Sequence, residues 1–307
     1  MTRTVWGVFV VGFWLVMMAS LVRTYLLPLR HAPAGETLEA ATLADGWQDF
    51  EEWMEVRSRD RRLGFTAVSM RKEKQNGGYR VVSRASLDVA APAKARIDMT
   101  AVAQLNGDFQ LDSFWVHVAA PLLALDVSGF VWGERLYVKF VVPNDKARRA
   151  YWPLEQPVSL LEALRPLAAR KIDLEEGAEY RVRAFDPIWF GGAGEAVIRV
   201  GARQAIQVGG QTVDASPVET ILAGRRSVAW VDDSRTIVRY EILEGLTFER
   251  VGRDAALQAR PDFPAEPALP RFEVDEYAQS LELMDLSQGN PLGTLAGILI
   301  DLATPKS

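Results

Sequence analysis

The sequence has no cysteine and only two histidines among its 307 residues. Without cysteine there is no disulfide, thiolate nucleophile, zinc ribbon, iron–sulfur cluster or lipidated anchor cysteine. An excess of positive charge is missing as well: 35 Lys+Arg stand against 40 Asp+Glu, for a net charge of -5. Phosphate binding needs a concentrated basic face, so nucleic acid is excluded as the main partner. With 24% charged and 49% hydrophobic residues, the chain has the composition of a folded globular protein, neither disordered nor polytopic. Long apolar runs are absent too, with one exception.

That exception is Val5 to Val22, VWGVFVVGFWLVMMASLV, which carries no charge and is bounded by Arg3 and Arg23. At 1.5 Å per residue it spans about 27 Å, close to the roughly 30 Å hydrocarbon core of a bilayer. Val5, Trp6, Phe9, Phe13, Trp14, Leu15 and Leu21 are its anchoring side chains. A cleaved signal peptide needs a shorter apolar run and small residues at the cut, and Met17, Met18, Ala19 and Ser20 offer no clean small-x-small pair. The reading is a retained single-pass anchor over residues 1–30, N-terminus cytoplasmic and body extracytoplasmic. The late run Leu292 to Ala303 is too short to cross.

Residues 31–49 include HAPAGETLEAATLADG, small and polar, a tether. Residues 50–258 read as many short strands. Leu63 to Arg71 and Tyr79 to Ala90 alternate apolar and polar side chains around Asn76-Gly77-Gly78. Ala95 to Leu105 and Asp108 to Val118 flank Asn106-Gly107, a type I′ turn dipeptide, and Leu123 to Trp132 and Arg135 to Val142 flank Gly133-Glu134. Later strands are expected at Ala178 to Phe185, Glu195 to Val208, Gln211 to Leu222, Ser227 to Val231, Arg235 to Leu243 and Leu246 to Val251, with turns at Gly209-Gly210 and Glu244-Gly245. One helix interrupts them, with a capping box at Ser159 and Glu162, an apolar stripe of Leu160, Leu161, Leu164 and Leu167, and a kink at Pro166. So many antiparallel strands must curl or close. The expected fold is mainly β: a curled antiparallel sheet or half-barrel with one packed helix, plus the transmembrane helix.

Residues 259–307 change character. Pro261, Pro264, Pro267 and Pro270 recur with the three-residue period of polyproline II, a stiff spacer. Beyond it Tyr277, Leu281 and Met284 share a helical face, and Ile298 and Ile300 belong to a final apolar run. Such a tail docks on a partner or folds back on its own domain.

Certain short motifs carry a resemblance. Glu52-Trp53-Met54, Arg62-Leu63-Gly64-Phe65, Gly78-Tyr79-Arg80, Trp152-Pro153-Leu154, Phe185-Asp186-Pro187, Val208-Gly209-Gly210-Gln211, Ala229-Trp230-Val231-Asp232 and Phe248-Glu249-Arg250, in this order, resemble the β-rich region that accompanies transglutaminase-like domains in bacterial envelope proteins. In that family the chemistry belongs to a neighbouring domain with Cys, His and Asp. This chain has no cysteine and no room for such a domain after residue 257. The resemblance therefore implies a non-catalytic envelope module, held in a bacterial inner membrane with its body in the periplasm.

Catalytic patterns fail one by one. His31 lies in the tether and His117 on a strand, so no serine has an evident base. Ser69-Met70-Arg71-Lys72 has the S-x-x-K spelling, but on a strand Ser and Lys are not one helical turn apart. Gly191-Gly192-Ala193-Gly194 lacks the last glycine of a dinucleotide loop and the Lys of a P-loop. Asp232-Asp233 marks a turn. The expectation is no enzyme, no cofactor and no metal. Arg57, Arg59, Arg61 and Arg62 form one basic cluster, and Lys146, Arg148 and Arg149 another, directly before Tyr151 and Trp152. Trp47, Trp152 and Trp189 sit at segment ends, with Phe190 beside the last, and suit interface contacts.

Three functions remain. The first is a membrane-anchored accessory subunit that binds an integral membrane protein complex beside the lipid bilayer, using Trp47, Arg148, Arg149, Tyr151, Trp152, Trp189, Phe190 and the tail residues Tyr277, Leu281, Met284, Ile298 and Ile300. The second is a carrier or sensor of a lipid-like ligand held in the curled sheet. A carboxylate-based hydrolase is the third.

Overall fold

The structure, a computed structural model, describes residues 35–44, 48–59, 61–73, 77–89, 95–121, 123–143, 147–185, 193–222, 224–243, 246–266 and 284–285. The predicted transmembrane anchor (1–30), residues 31–34 and 45–47 of the tether with Trp47 among them, and Trp189, Phe190, Tyr277, Leu281, Ile298 and Ile300 lie outside them, as does the side chain of Met284. No helix among the described residues is long and apolar enough to cross a membrane.

Alternation of apolar and polar residues produces two antiparallel meanders. The first is β2 (Phe50–Ser58), β3 (Arg61–Lys72), β4 (Tyr79–Val89), β5 (Ala95–Leu105), β6 (Leu111–Ala120), β7 (Leu123–Trp132), β8 (Arg135–Val141) and β9 (Arg148–Pro153). The second holds β11 (Glu179–Phe185), β12 (Ala193–Val200), β13 (Gln204–Val208), β14 (Gln211–Leu222), β15 (Arg225–Asp232), β16 (Ile237–Leu243) and β17 (Leu246–Val251). Antiparallel pairing of β17 with β2, from Leu246↔Ser58 to Val251↔Trp53, joins the two into one open, curled sheet. Short parallel pieces lie on its ends: β1 (Glu36–Thr37) and β10 (Ser159–Leu160) on β11, and β18 (Met284–Asp285) on β9. The mainly β, curled architecture expected from the pattern is therefore present.

Helix α2 (Leu161–Lys171) connects the meanders and enters the concave side; the small helices α1 (Ala40–Ala44) and α3 (Arg253–Ala259) precede and follow them. Leu161, Ala163, Leu164, Leu167, Ala168 and Ala169 of α2 all belong to the main core, together with Phe109 from the β5–β6 turn and Phe114, Leu136, Phe140, Trp152, Phe185, Ile198 and Tyr240 from the sheet. At roughly 1.5–3 kcal/mol per buried large side chain, the three leucines alone hold α2 in place. Phe185 bridges the curl, 5.6 Å from Phe114 and 6.3 Å from Trp152 between ring centroids. Pro166 lies inside the helix without ending it, and Arg170 and Lys171 in the last turn suit the negative end of its dipole.

Four local expectations are corrected. The helix has no capping box: Leu160 is its N-cap, with no side-chain cap bond, while Ser159 is buried in β10 as a partner of Ala184. The Asn106-Gly107 turn is not a two-residue hairpin; the Asn106 side-chain oxygen accepts from the amides of Asp108 and Gln110, both at 2.9 Å. Phe109, not Gly107, takes the positive φ there (65°), because its ring is driven into the core, 4.3 Å from Tyr79. Glu195 to Val208 is two strands, broken at residues 201–203, where a Cβ on Gly201 would meet Pro217 at 2.9 Å. Finally, residues 260–266 of the proline-rich segment lie against the sheet rather than standing off it. By contrast, Gly209 and Gly210, at φ 57° and 81°, make the two-residue turn between Val208 and Gln211 that the sequence suggests.

Candidate functional site

Several predicted interface residues are in the described part. β9 carries Arg148, Arg149 and Tyr151 half-buried, opposite Phe140, Lys139 and Tyr137 of β8. Trp152 is a correction: only 6% exposed, it faces inward among core aromatics, because strand alternation sends it to the side opposite Tyr151. Met284, in β18, stands opposite Ala150 at that sheet end. A residue the sequence reading passed over is more prominent. Trp132, at the β7–β8 turn, is 57% exposed and the one large hydrophobic side chain exposed among the described residues. It leans on Tyr137 at 6.2 Å, and Arg135 lies 4.7 Å over Tyr151 beside it. The Gly133-Glu134 dipeptide marked the turn in the sequence, and Gly133 adopts the positive φ (59°) that permits it.

The convex face of β2–β5 is covered by the chain that follows β17. Alternate residues of β4 meet successive residues of this strap. The buried Arg260 donates to Ser86 Oγ (3.2 Å) and to both Asp88 oxygens (3.3 and 2.6 Å), Arg84 donates to the Pro264 carbonyl at 3.0 Å, and Arg80 lies 3.6 Å from Glu266. Asp262 pairs with Arg96. Phe263 packs on Trp53 at 4.9 Å, and the Arg84 guanidinium lies 5.6 Å from the Trp53 ring and 5.5 Å from the Phe263 ring. Burial lowers the Arg84 pKa, with Glu51 and Glu266 opposing the shift. The Arg260 hydrogen bond, opposed by some burial, holds Asp88 below its ordinary value.

Where the strap begins, a cleft of about 600 Å³ opens. Trp53, Val208, Val213, Val238 and Val251 make it apolar, Gly209, Gln211 and Gly252 contribute backbone and amide, and Glu51, Arg250 and Arg253 are its charged groups. Glu51 is engaged three ways: Trp53 Nε1 donates to it at 3.0 Å, Arg84 lies at 3.5 Å and Arg253 at 3.6 Å. The β13–β14 hairpin forms one side, tied down by Gly209 N donating to Glu249 at 3.2 Å and by the Arg203–Asp233 pair. Asp233 is thereby a structural ion-pair partner, its pKa lowered by the Arg203 hydrogen bond.

His117 stacks on Trp115 at 5.7 Å, and its Nδ1 lies 2.9 Å from Asp126 Oδ1, which also accepts from Trp115 Nε1 at 3.1 Å. This trio orients an imidazole on the convex face. Ser69 is buried in β3 and Lys72 is exposed at the same strand's end, so the S-x-x-K spelling brings no serine–lysine pair together. Among the described residues no three His, Cys, Asp or Glu side chains gather as a metal site.

No protein-family model matches the chain. No curated protein matches it either. Among solved structures it is similar to the crystal structure of a beta-barrel-like protein of domain of unknown function DUF1849 from Brucella abortus, at 12% identity, with a TM-score of 0.44, over 66% of this chain and 95% of that one.

Proposed function

We propose that this chain is a non-catalytic accessory subunit. In this reading one apolar N-terminal helix holds it in a bacterial inner membrane, and its β body grips an integral membrane protein complex on the periplasmic side. The observation that carries the reading is the distribution of side chains: helix α2 occupies the concave side of the curled sheet as core, while the cleft and Trp132 face outward. A body built this way presents surfaces. The uncharged run Val5 to Val22 supplies the anchor, and the resemblance to the β-rich companion of transglutaminase-like domains belongs to the same proposal. A lipid-like cargo inside the curl is the weaker reading, since leucines and alanines of α2 fill the place it would need.

The test is affinity isolation of the tagged chain from native membranes in mild detergent, with co-purifying chains identified by mass spectrometry. An integral membrane partner in fixed ratio is expected, as is labelling of the body from the periplasmic side in intact cells. A solitary chain, or a body labelled only from the cytosol, overturns the proposal.

A further inference from the structure

The concave wall of the first meander is not buried evenly. Met70, Val81, Ala103 and Phe114, cross-strand partners in that order, form one row, and all of them are buried. Helix α2 belongs with this row: its leucines share the same core, and Arg170 lies 5.5 Å from the ring of Phe50, which pairs with Met70. Four residues along each strand, and so on the same face, a second row runs Met54, Thr66, Ala85, Met99 and Val118. Met54, Thr66, Met99 and Val118 are only half-buried. Beyond them Leu87 and Ile97, a facing pair, are half-buried as well. Met54, Met99 and Val118 pack on the margin of the main core, so this half of the wall is apolar surface continuous with it.

The sequence holds a segment suited to cover it. Leu292 to Ala303 lies outside the described residues. As a helix its twelve residues measure about 18 Å, well short of the roughly 30 Å of a bilayer, and an apolar run of that length suits a buried core helix. Val5 to Val22, by contrast, is long enough to have the bilayer as its apolar surroundings. Asn290-Pro291 spells a helix start, since asparagine caps the first turn and proline fits its first position. At about 100° per residue Leu292, Leu295, Leu299 and Leu302 fall on one stripe, and Asp301, the one charge in the run, falls on the opposite side. The chain is also in the right place. Just before this run, Met284 and Asp285 pair with Ala150 and Tyr151 of β9. Residues 286–291 can extend about 20 Å, and the four strand spacings from β9 to β5 come to about 19 Å before the curl shortens the path.

We propose that residues 291–303 form a helix whose leucine stripe lies on the half-buried part of the concave wall, over Met54, Thr66, Met99 and Val118, as a lid made from the chain's own late segment. The lid completes the core that α2 begins, and turns Asp301 to solvent. It needs no partner protein, so it stands whether or not the chain is a subunit.

The chain has no cysteine, so introduced pairs report contacts directly. The full chain in lipid nanodiscs, carrying Met99→Cys and one further cysteine at each position from 291 to 303 in turn, is oxidised with copper phenanthroline. Disulfide yield within one chain is read on non-reducing gels and by peptide mass spectrometry. A disulfide needs Cα atoms within about 7 Å, so yield is expected to peak at one or two adjacent positions of the leucine stripe, roughly tenfold above Gly297 and Asp301. Val118→Cys is the second wall position if Met99→Cys does not fold. His117→Cys, next to it but on the convex face, gives no bond. Leu295→Asp/Leu299→Asp lifts the helix, abolishes the bond and speeds maleimide labelling of Met99→Cys roughly tenfold. No bond from either wall position, a yield flat along 291–303, or an equal yield from His117→Cys overturns the proposal. So do bonds that form only between two copies of the chain, or a bond from Met99→Cys to Phe13→Cys in the first apolar run. Labelling that ignores the aspartates and rises when detergent strips bound lipid makes lipid the cover, and overturns it too. The intrachain bond in a chain that leaves native membranes without companions keeps the lid and removes the subunit reading; a co-purifying complex without the bond does the reverse.

Discussion

Leu164→Ala tests whether α2 is the filling of the curled sheet. Leu164 is 1% exposed and lies in the main core beside Leu161, Leu167 and the aromatic residues of both meanders. The substitution removes three carbons, about 2.4 kcal/mol of transfer free energy at roughly 0.8 kcal/mol per methylene. A residual cavity of roughly 50 Å³ adds about 1.2 kcal/mol at ~24 cal/mol per Å³. The expected loss is therefore about 3–4 kcal/mol, within the range of roughly 2.7–5.0 kcal/mol for leucine truncations in close-packed cores. Urea unfolding of the full chain in nanodiscs, followed by tryptophan fluorescence, should show a lower midpoint at unchanged slope. The same variant, and not the wild type, should gain stability from a small apolar solute such as benzene, because the new space is dry and lined by hydrocarbon. A loss below about 1 kcal/mol, or equal stabilisation of the wild type by benzene, refutes the argument and returns the concave side to a lipid-like ligand.

Other substitutions probe the surfaces. Gly129→Ala should cost about 1–3 kcal/mol, because a Cβ there meets the Phe114 ring at 2.5 Å and the Tyr137 carbonyl at 2.7 Å; an unchanged urea midpoint contradicts this close approach of β6, β7 and β8. Arg260→Ala should cost about 1–2 kcal/mol rather than the larger figure of a fully buried pair, because Asp88 is 53% exposed and stays hydrated, and it should open the chain near residues 260–266 to limited proteolysis. The Asp88 pKa is lowered in the folded state, so its contribution is complete above its ordinary value of 3.8 and fades as pH falls through the folded value. Strap protection should accordingly weaken only in strong acid, and weakening that begins near neutral pH excludes Asp88 as the cause. Trp132→Ser should change stability by less than about 0.5 kcal/mol, while lowering retention of the co-purifying complex if this indole is a contact.

Local features were legible where one strand or one turn decides them. Alternation located β3 and β4, and two adjacent glycines located the β13–β14 turn, since each of these depends only on neighbours in sequence. Asn106-Gly107 misled because two forces act there. The Asn106 side chain can cap a longer loop, and burying Phe109 against Tyr79 outweighs the cost of about 1 kcal/mol or more for an aromatic residue at positive φ. Ser159 and Glu162 misled for a related reason. Parallel pairing of β10 with Ala184 and Phe185 engages the backbone that a capping box would have needed, and those partners lie twenty-five residues away.

The strap and the cleft were illegible for a physical reason that also bears on function. Arg260 meets Ser86 and Asp88, and Arg84 meets Pro264, across sequence separations of 174, 172 and 180 residues, and no periodicity reports such distances. The proline period correctly described a stretch unable to join a ladder, but an extended chain without ladder bonds can still lie across a sheet when its side chains find partners. The expectation that a tryptophan at a segment end belongs to an interface failed in the same way. Trp152, near the end of β9, is core, whereas Trp53, inside β2, is at once the platform for Phe263 and a wall of the cleft. Because Trp53 and Glu51 touch both strap and cleft, anything that lifts the strap must also reshape the cleft. Loss of Phe263, which touches Trp53 on the strap side, should therefore speed amide hydrogen exchange at residues 208–213 of the cleft wall, although Phe263 does not line it. Phe263→Ala that frees the strap to protease yet leaves that exchange unchanged would separate the two.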